Sequence, residues 1–330
     1  MNLAIVILNW NGKHLLKKFL PELLDKSKDQ GKLFVIDNNS TDDSVNYIKS
    51  NFKNVTIVKN SKNLGYAGGY NEGLKKIKAD LYCLINNDVE VSQGWLSPII
   101  NEFKSNPKTK IIQPKILNYN KKKYFDYAGA AGGFIDYLGY PYCDGRIHNK
   151  IQEDNGQYDF NKKIFWASGA CFFIRRETFE KHLGFDERFF AHMEEIDLCW
   201  RVTNNGGSIK YIYNSKVFHV GGATLNSNNS KKTFLNFRNS LLMLEKNLNK
   251  NKYQVIILRM IFDGLIAVYF LFSFKLSHII AIIKAHFSFY MRKQKLSLNL
   301  NEKKVKIKYY RIRFIFLAYI KEKYLSFFIK

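Results

Sequence analysis

Cysteine is scarce and unpatterned in this chain of 330 residues. Cys83, Cys143, Cys171 and Cys199 stand far apart, with no C-x-x-C pair and no histidine spaced as a zinc knuckle requires. That excludes a small zinc module or a disulfide framework and predicts reduced, buried thiols in a cytosolic protein. No internal repeat or low-complexity tract is found. The first residues enter an apolar run at once, lacking a basic n-region and a small-residue cleavage site, so no secretion signal is expected. Long uncharged runs are also missing from the apolar C-terminal part, where the longest, Gly264 to Phe274, has 11 residues. A spanning helix needs ~20, so this part is not expected to cross a bilayer in the ordinary way. Acidic residues all but disappear after position 230. From Lys231 onward, 21 Lys and Arg face only Glu245, Asp263, Glu302 and Glu322, which leaves +17 of the chain's net +24 in the tail. Such asymmetry implies a polyanionic partner, either nucleic acid or an anionic membrane surface.

What is present begins with short apolar runs, Ala4 to Leu8, Leu33 to Asp37, Val55 to Val58 and Leu81 to Ile85, separated by helical spacing over Lys13 to Lys26 and Tyr70 to Ile77. The alternation predicts an α/β fold with strands buried on both faces of a parallel sheet. Residues 110 to 165 read as irregular and strand-poor; further strands are expected in Ile164 to Arg176, Ser208 to Tyr213 and Lys216 to Val220, and a helix over His192 to Asn204. In a doubly wound sheet, ligands lie beyond the carboxyl ends of the strands. There the chain reads Asn9-Trp10-Asn11-Gly12, Asp37-Asn38-Asn39-Ser40-Thr41-Asp42 and Asn86-Asn87-Asp88. Each segment alone is an ordinary turn or cap; three on one edge point to a nucleotide site. Asn63 to Asn71 is glycine-rich and leads into a helix, a setting that suits phosphate, although its spacing is neither the dinucleotide fingerprint nor the P-loop.

Departure of a nucleoside diphosphate calls for charge neutralisation, and Asp88 with His219, each ending a strand, supplies an incomplete shell for Mg²⁺ or Mn²⁺. The competing readings are a turn aspartate and a buried structural histidine. An attacking hydroxyl needs a carboxylate base. Glu194, Glu195 and Asp197 open a helix, where acids also simply suit the helix dipole, and Arg201 is placed to pair with Asp197.

The strings Ile5 to Gly12, Val35 to Asp42, Asn63 to Gly73, Leu84 to Val91, Gly184 to Phe190, Glu194 to Arg201 and His219 to Gly222 together resemble the family 2 glycosyltransferases of the GT-A fold, over about residues 3 to 225. The resemblance implies a Rossmann-like, mostly parallel sheet and inverting transfer by single displacement from a nucleotide-sugar donor. It implies donor contacts by Asn9, Asn11, Asp37, Asn39, Asp42, Asn63, Gly65, Gly68, Asn71, Asn87 and Asp88, with Asp37 on the base. It further implies a metal on Asp88 and His219, a base aligned with Glu195, and acceptor contacts by Trp166 and Gly169. Two departures stand out: the D-x-D motif reads Asn86-Asn87-Asp88, and the usual Glu-Asp pair reads Glu194-Glu195. The glycine-rich string looks most like rhamnosyltransferase-type members, which use deoxythymidine-diphosphate sugars.

The expected organisation is therefore a catalytic domain over residues 1 to 230 and a helical, basic, membrane-associating tail over 231 to 330. The tail's interrupted aromatic and aliphatic helices suit an interfacial position on the inner face of the cell membrane, beside a glycan or lipid-linked acceptor. A helical pair packed on the domain is the alternative. A non-enzymatic nucleic-acid-binding protein would share the charge, but no recognisable RNA or DNA module accompanies it.

Overall fold

Apolar runs with alternate residues facing opposite sides become the strands of one sheet in this computed structural model, which describes residues 1–147, 150–221, 229–293 and 307–318. The first half is β1 (Leu3–Asn9), α1 (Lys13–Asp25), β2 (Lys32–Asp37), α2 (Ser44–Asn51), β3 (Thr56–Lys59), α3 (Gly65–Leu74), β4 (Leu81–Ile85), β5 (Val89–Val91) and α4 (Leu96–Ser105). There follow β6 (Thr109–Asn118), the short strands β7 (Gly133–Ile135), β8 (Pro141–Cys143), β9 (Arg146–Ile147), β10 (Lys150–Ile151) and β11 (Lys162–Lys163), then β12 (Cys171–Arg175), α5 (Arg176–Lys181), α6 (Glu194–Asn204) and β13 (Ser208–His219). The C-terminal helices are α7 (Ser230–Asn247), α8 (Lys252–Phe272) and α9 (Leu276–Lys293).

The sheet order is β11-β13-β6-β12-β4-β1-β2-β3, with β5 added on β13. Strands β3, β2, β1 and β4 are parallel, β12 runs antiparallel between β4 and β6, and β6 is again parallel to β13. In β1, Ala4 and Val6 enter the core beneath α3 and α6, while Leu3, Ile5 and Ile7 enter the one beneath α1 and α4, as the two-residue period of a strand requires.

Strand β6 departs from the irregular reading of residues 110 to 165. Pro114 hides it, since proline removes a ladder donor. The partner accommodates this: pairing of β6 with β13 shifts register between Ile212 and Lys216, opposite Pro114 and Lys115, so Ser208–His219 form one bulged strand with no break.

The seam expected at residue 230 is not a seam in the packing. Lys246 and Asn247 of α7 bond to Asp197 of α6 at 2.9 and 2.7 Å, and Asn204 donates to the Asn247 carbonyl at 3.1 Å. α8 is docked by its charged residues. Arg259 Nε and Tyr140 OH donate to Asp263 at 2.8 and 2.7 Å, and His286 Nε2 lies 3.1 Å from it. By length and composition α8, with mean hydropathy 2.2, is able to cross a membrane. Its buried residues Val255, Ile256, Arg259 and Asp263 nevertheless form a stripe against the protein, while Tyr253, Ile257, Ile261, Leu265 and Tyr269 are exposed. Gly222 of the late histidine motif and residues 294–306 and 319–330 of the tail lie outside the described residues.

Candidate active site

Asn9 and Asp37 are register partners at the ends of β1 and β2. The Asn9 amide is buried and donates to Ser40 Oγ at 3.3 Å, while its oxygen accepts from Asn87 at 3.0 Å. Gly12 permits this crossing, because a Cβ there would stand 2.3 Å from Asn87 Nδ2. Asn11, at φ 51°, accepts from the amides of Thr41 and Asp42 at 2.7 and 3.2 Å. Asp42 accepts from the amides of Lys13 and Ser44, capping two helix starts. Asn39 is exposed at φ 64°. Asn9, Asn11, Asn87 and Asp42 thus lace the strand ends together and leave their neighbours to face a ligand. Asp37 is different: Oδ2 accepts from Ser40 N at 3.3 Å, whereas buried Oδ1 has no hydrogen-bond partner among the described residues. An orphaned carboxylate oxygen suits the N–H of a nucleobase.

In the glycine-rich segment the amides that open α3 turn to the protein's own carbonyls and side chains. The amides of Tyr66 and Ala67, at the start of α3, donate to Phe190 O at 2.9 and 3.4 Å; Gly65 N donates to Asn63 Oδ1 at 2.9 Å, and Leu64 N to Asn38 Oδ1 at 3.3 Å. The donors that a helix N-terminus offers an anion are therefore taken by the protein itself. Gly65, at φ 70°, is required because a Cβ would lie 2.6 Å from Phe190 O; at Gly68 it would meet Leu64 Cβ at 2.9 Å. Asn71 clamps Phe185, donating to its carbonyl at 2.8 Å and accepting from its amide at 2.9 Å. Asn63, Gly65, Gly68 and Asn71 consequently act in packing. Of these four, Asn63 is the exposed one, its Oδ1 accepting from Asn38 at 3.0 Å.

Asp88 and His219 do meet. The antiparallel pairing of β5 with β13 sets His219 opposite Val89, and Val220 N bonds to Asp88 O at 3.1 Å. His219 Nε2 lies 3.3 Å from Asp88 Oδ1, a buried atom that accepts no aligned hydrogen bond among the described residues. Nδ1 lies 3.2 Å from Asp126 Oδ2. Burial opposes charge on this imidazole, but the Asp126 and Asp88 carboxylates on either side outweigh it and raise it to about 10. A divalent cation fits this donor set: Asp126 orients the ring from behind, and Nε2 and Oδ1 face a common point. Among the described residues no three His, Cys, Asp or Glu side chains converge as ligands, so a cation held by Asp88 and His219 would leave positions open to phosphate oxygens and water. Asp126 was not foreseen, since it sits in a segment with no strand or motif pattern.

The acids at the start of α6 have unlike surroundings. Asp197 accepts from Arg201 Nε and Lys246 Nζ, both at 2.9 Å, and from Asn247 at 2.7 Å. Burial works against its charge, yet Arg201 and Lys246 prevail and hold its carboxyl below the usual range. Both Asp197 oxygens are thus engaged by partners, in contrast to the two glutamates. Glu194 and Glu195 each keep a buried, unpartnered Oε2 among the described residues. Burial, then the charge of Glu195, pushes Glu194 well above the carboxylate range. Burial raises Glu195 from the usual 4.5 to about 7, held down in part by its own amide and those of Ile196 and Gly169. Gly169 connects this helix to the metal edge: Ala170 O accepts from Asn86 N at 2.9 Å, and Cys171 pairs with Ile85.

Trp166 belongs to the core. Its ring nitrogen donates to Phe134 O at 2.8 Å, and its ring closes over Gly133. At 4% exposure it is buried in the same core as Phe165 and Trp200.

The loop before α6 is strained. Phe190 (φ 62°, ψ −56°) centres a γ-turn closed by Ala191 N to Phe189 O at 2.7 Å, and His192 and Met193 follow at φ 70° and 74°. Each left-handed non-glycine residue costs roughly 1–2 kcal/mol, and such costs concentrate at functional sites. Asn239 and Arg238 of α7 bind this loop's carbonyls. Nothing in local sequence pairs residues so far apart.

Comparison with known proteins bears on the family and the fold. The model of glycosyl transferase family 2 matches residues 4–183. An N-acetylglucosaminyl-diphospho-decaprenol L-rhamnosyltransferase of Mycobacterium tuberculosis is 23% identical over 232 residues, covering 66% of this chain and 75% of its own length. A low-salt glycan biosynthesis hexosyltransferase of Haloferax volcanii, Agl10, is 23% identical over 84% of this chain and 87% of its own. Among solved structures, GalNAc-T7 with UDP, GalNAc and Mn²⁺ has a TM-score of 0.58 at 16% identity, over 74% of this chain and 48% of that larger one. At such identity the structural likeness bears on fold alone.

Proposed function

The chain belongs to glycosyl transferase family 2 and has the GT-A fold, and from this premise we propose that it transfers a sugar, with inversion, from a nucleotide-diphosphate sugar to a glycan or lipid-linked acceptor in cell-surface polysaccharide biosynthesis. The observation that carries the reading is the convergence on one sheet edge of the Asp88–His219 pair and, through Gly169, the unpartnered Glu195 carboxylate.

Asp37 Oδ1 accepts from the nucleobase. Asp88 and His219 hold the divalent cation, Mg²⁺ or Mn²⁺, which when bound neutralises charge on the departing diphosphate. Glu195 Oε2 takes the proton from the acceptor hydroxyl as that oxygen bonds to the anomeric carbon from the face opposite the breaking bond to the diphosphate. Burial of Glu194 and Glu195 keeps Glu195 basic enough for this step near neutrality. The donor is a dTDP-sugar, such as dTDP-rhamnose, or a UDP-sugar. The exposed apolar stripe of α8 and the tail's positive charge support peripheral attachment to the inner face of the cell membrane, where a lipid-linked acceptor presents its sugar end. Incubation with a panel of nucleotide sugars and Mn²⁺ tests the assignment: slow release of nucleoside diphosphate from one or two donors is expected. Release from none, with tight nucleic-acid binding instead, would return the basic-protein reading.

A further inference from the structure

We infer that Asn239 of α7 is a positioning residue for the Glu194–Glu195 pair, holding the loop that precedes them in the one conformation that aims these carboxylates at the reacting edge. The inference rests on the assignment of Glu195 as the base. Asn239 is 0% exposed and lies far along the chain from the acids. Its Nδ2 donates to Phe189 O, Ala191 O and His192 O at 3.0, 2.9 and 2.7 Å. Two N–H groups thus serve three carbonyls. Arg238 contributes bonds to Arg188 O and Phe189 O at 3.0 and 3.3 Å, and its Nε fixes Asn239 Oδ1 at 2.9 Å. Phe190 O, the carbonyl Asn239 leaves out, is held from the other side by the amides of Tyr66 and Ala67.

Inward-turned carbonyls repel one another and need a buried donor. The left-handed backbone at Phe190, His192 and Met193 would relax without one, because such conformations persist only when their surroundings impose them. Met193 adjoins Glu194, so relaxation moves both acids. A catalytic group must be held within about 0.5 Å of its productive place, and a shift of 1 Å costs about 10²-fold in rate.

The test compares Asn239→Ala, His192→Gly and the double variant in the full chain. Asn239→Ala should lower kcat by about 10²-fold and leave the Kd for UDP and dTDP within about twofold, since Asp37 stands on other strands. His192→Gly adopts positive φ without steric cost. Alone it should stay within about threefold of the parent, and in the double variant it should return about tenfold of the lost kcat by relieving the strain Asn239 opposes. A kcat for Asn239→Ala within threefold of the parent overturns the inference. So does joint loss of kcat and nucleotide affinity, or a double variant that recovers nothing. If Asn239→Ala does not fold, Asn239→Ser, which keeps one donor, takes its place; failure of both to fold assigns Asn239 to folding and rejects a positioning role. Glu195→Gln run in parallel separates the two ideas, because normal turnover there defeats the base assignment whatever Asn239 does.

Discussion

Replacing Glu195 by glutamine keeps the side-chain volume and removes the proton acceptor, and two opposite effects are expected. With the carboxyl at about 7, roughly a tenth is ionised at pH 6 and nine tenths at pH 8, so the parent's kcat should fall about tenfold from pH 8 to pH 6. That limb belongs to the Glu194–Glu195 pair rather than to one site. In Glu195→Gln, kcat should drop at least ~10²-fold and lose the limb. Stability moves the other way. Between the usual 4.5 and about 7 the folded state holds the proton that the unfolded state has released, so stability falls as pH rises through that window. Above it the ionised parent carries a constant penalty, at most about 3 kcal/mol from that separation. The glutamine escapes it. At pH 8 the variant should melt higher by on the order of 5 °C, and at pH 4 the difference should vanish. Stopped assays of nucleoside diphosphate release and calorimetric melts at the two pH values read both effects. A variant active within tenfold of the parent, or one that melts lower at pH 8, would refute the placement of a buried, unpartnered base at this position.

Asp88→Ala, or EDTA on the parent, should remove nearly all transfer, and Asp126→Asn should weaken Mn²⁺ binding by about 10–100-fold, read by titration calorimetry without substrate. Asp197→Ala leaves Arg201 and Lys246 buried without their shared carboxylate and should cost about 3–5 kcal/mol; a denaturant midpoint equal to the parent's would contradict the network. Full-length protein should float with vesicles containing anionic lipid and be partly released by salt, since headgroup attraction is screened while the apolar face stays inserted. Phe272 and Phe274, exposed at 79% and 93% at the end of α8 and in the turn that follows it, should be needed: changing both to Ser should reduce flotation several-fold, and unchanged flotation would favour a helical pair serving only the domain.

Asp88 and His219 were legible because each ends an apolar run; what brings them side by side, the antiparallel pairing of β5 with β13, was not. The acid cluster announced itself by its density, but its division of labour did not. Asp197 is separated from Glu195 by Lys246 and Asn247, which stand about 50 positions away. The asparagines at the strand ends were easy to see, but their lacing was not, since a side chain lacing two loops has the same spelling as one reaching a ligand. The glycines of α3 illustrate the same point: close approach was legible, but the groups that approach, Phe190 at Gly65 and Ile36 at Gly73, come from elsewhere in the chain. Trp166 and β6 were obscured by partners across the sheet, Phe134 and the bulge of β13.

Because Asn239, Lys246 and Asn247 sit on α7 yet serve α6 and the loop before it, the chain cannot be recombined at the place where its composition changes. A chimera joined at 230 would import a foreign brace, and the grafted enzyme would fold around an acid pair cut for a different support. The same dependence continues beyond α7, since Asp263 of α8 accepts from Tyr140 and α9 buries Ala281, Ile282, Ala285 and Phe289.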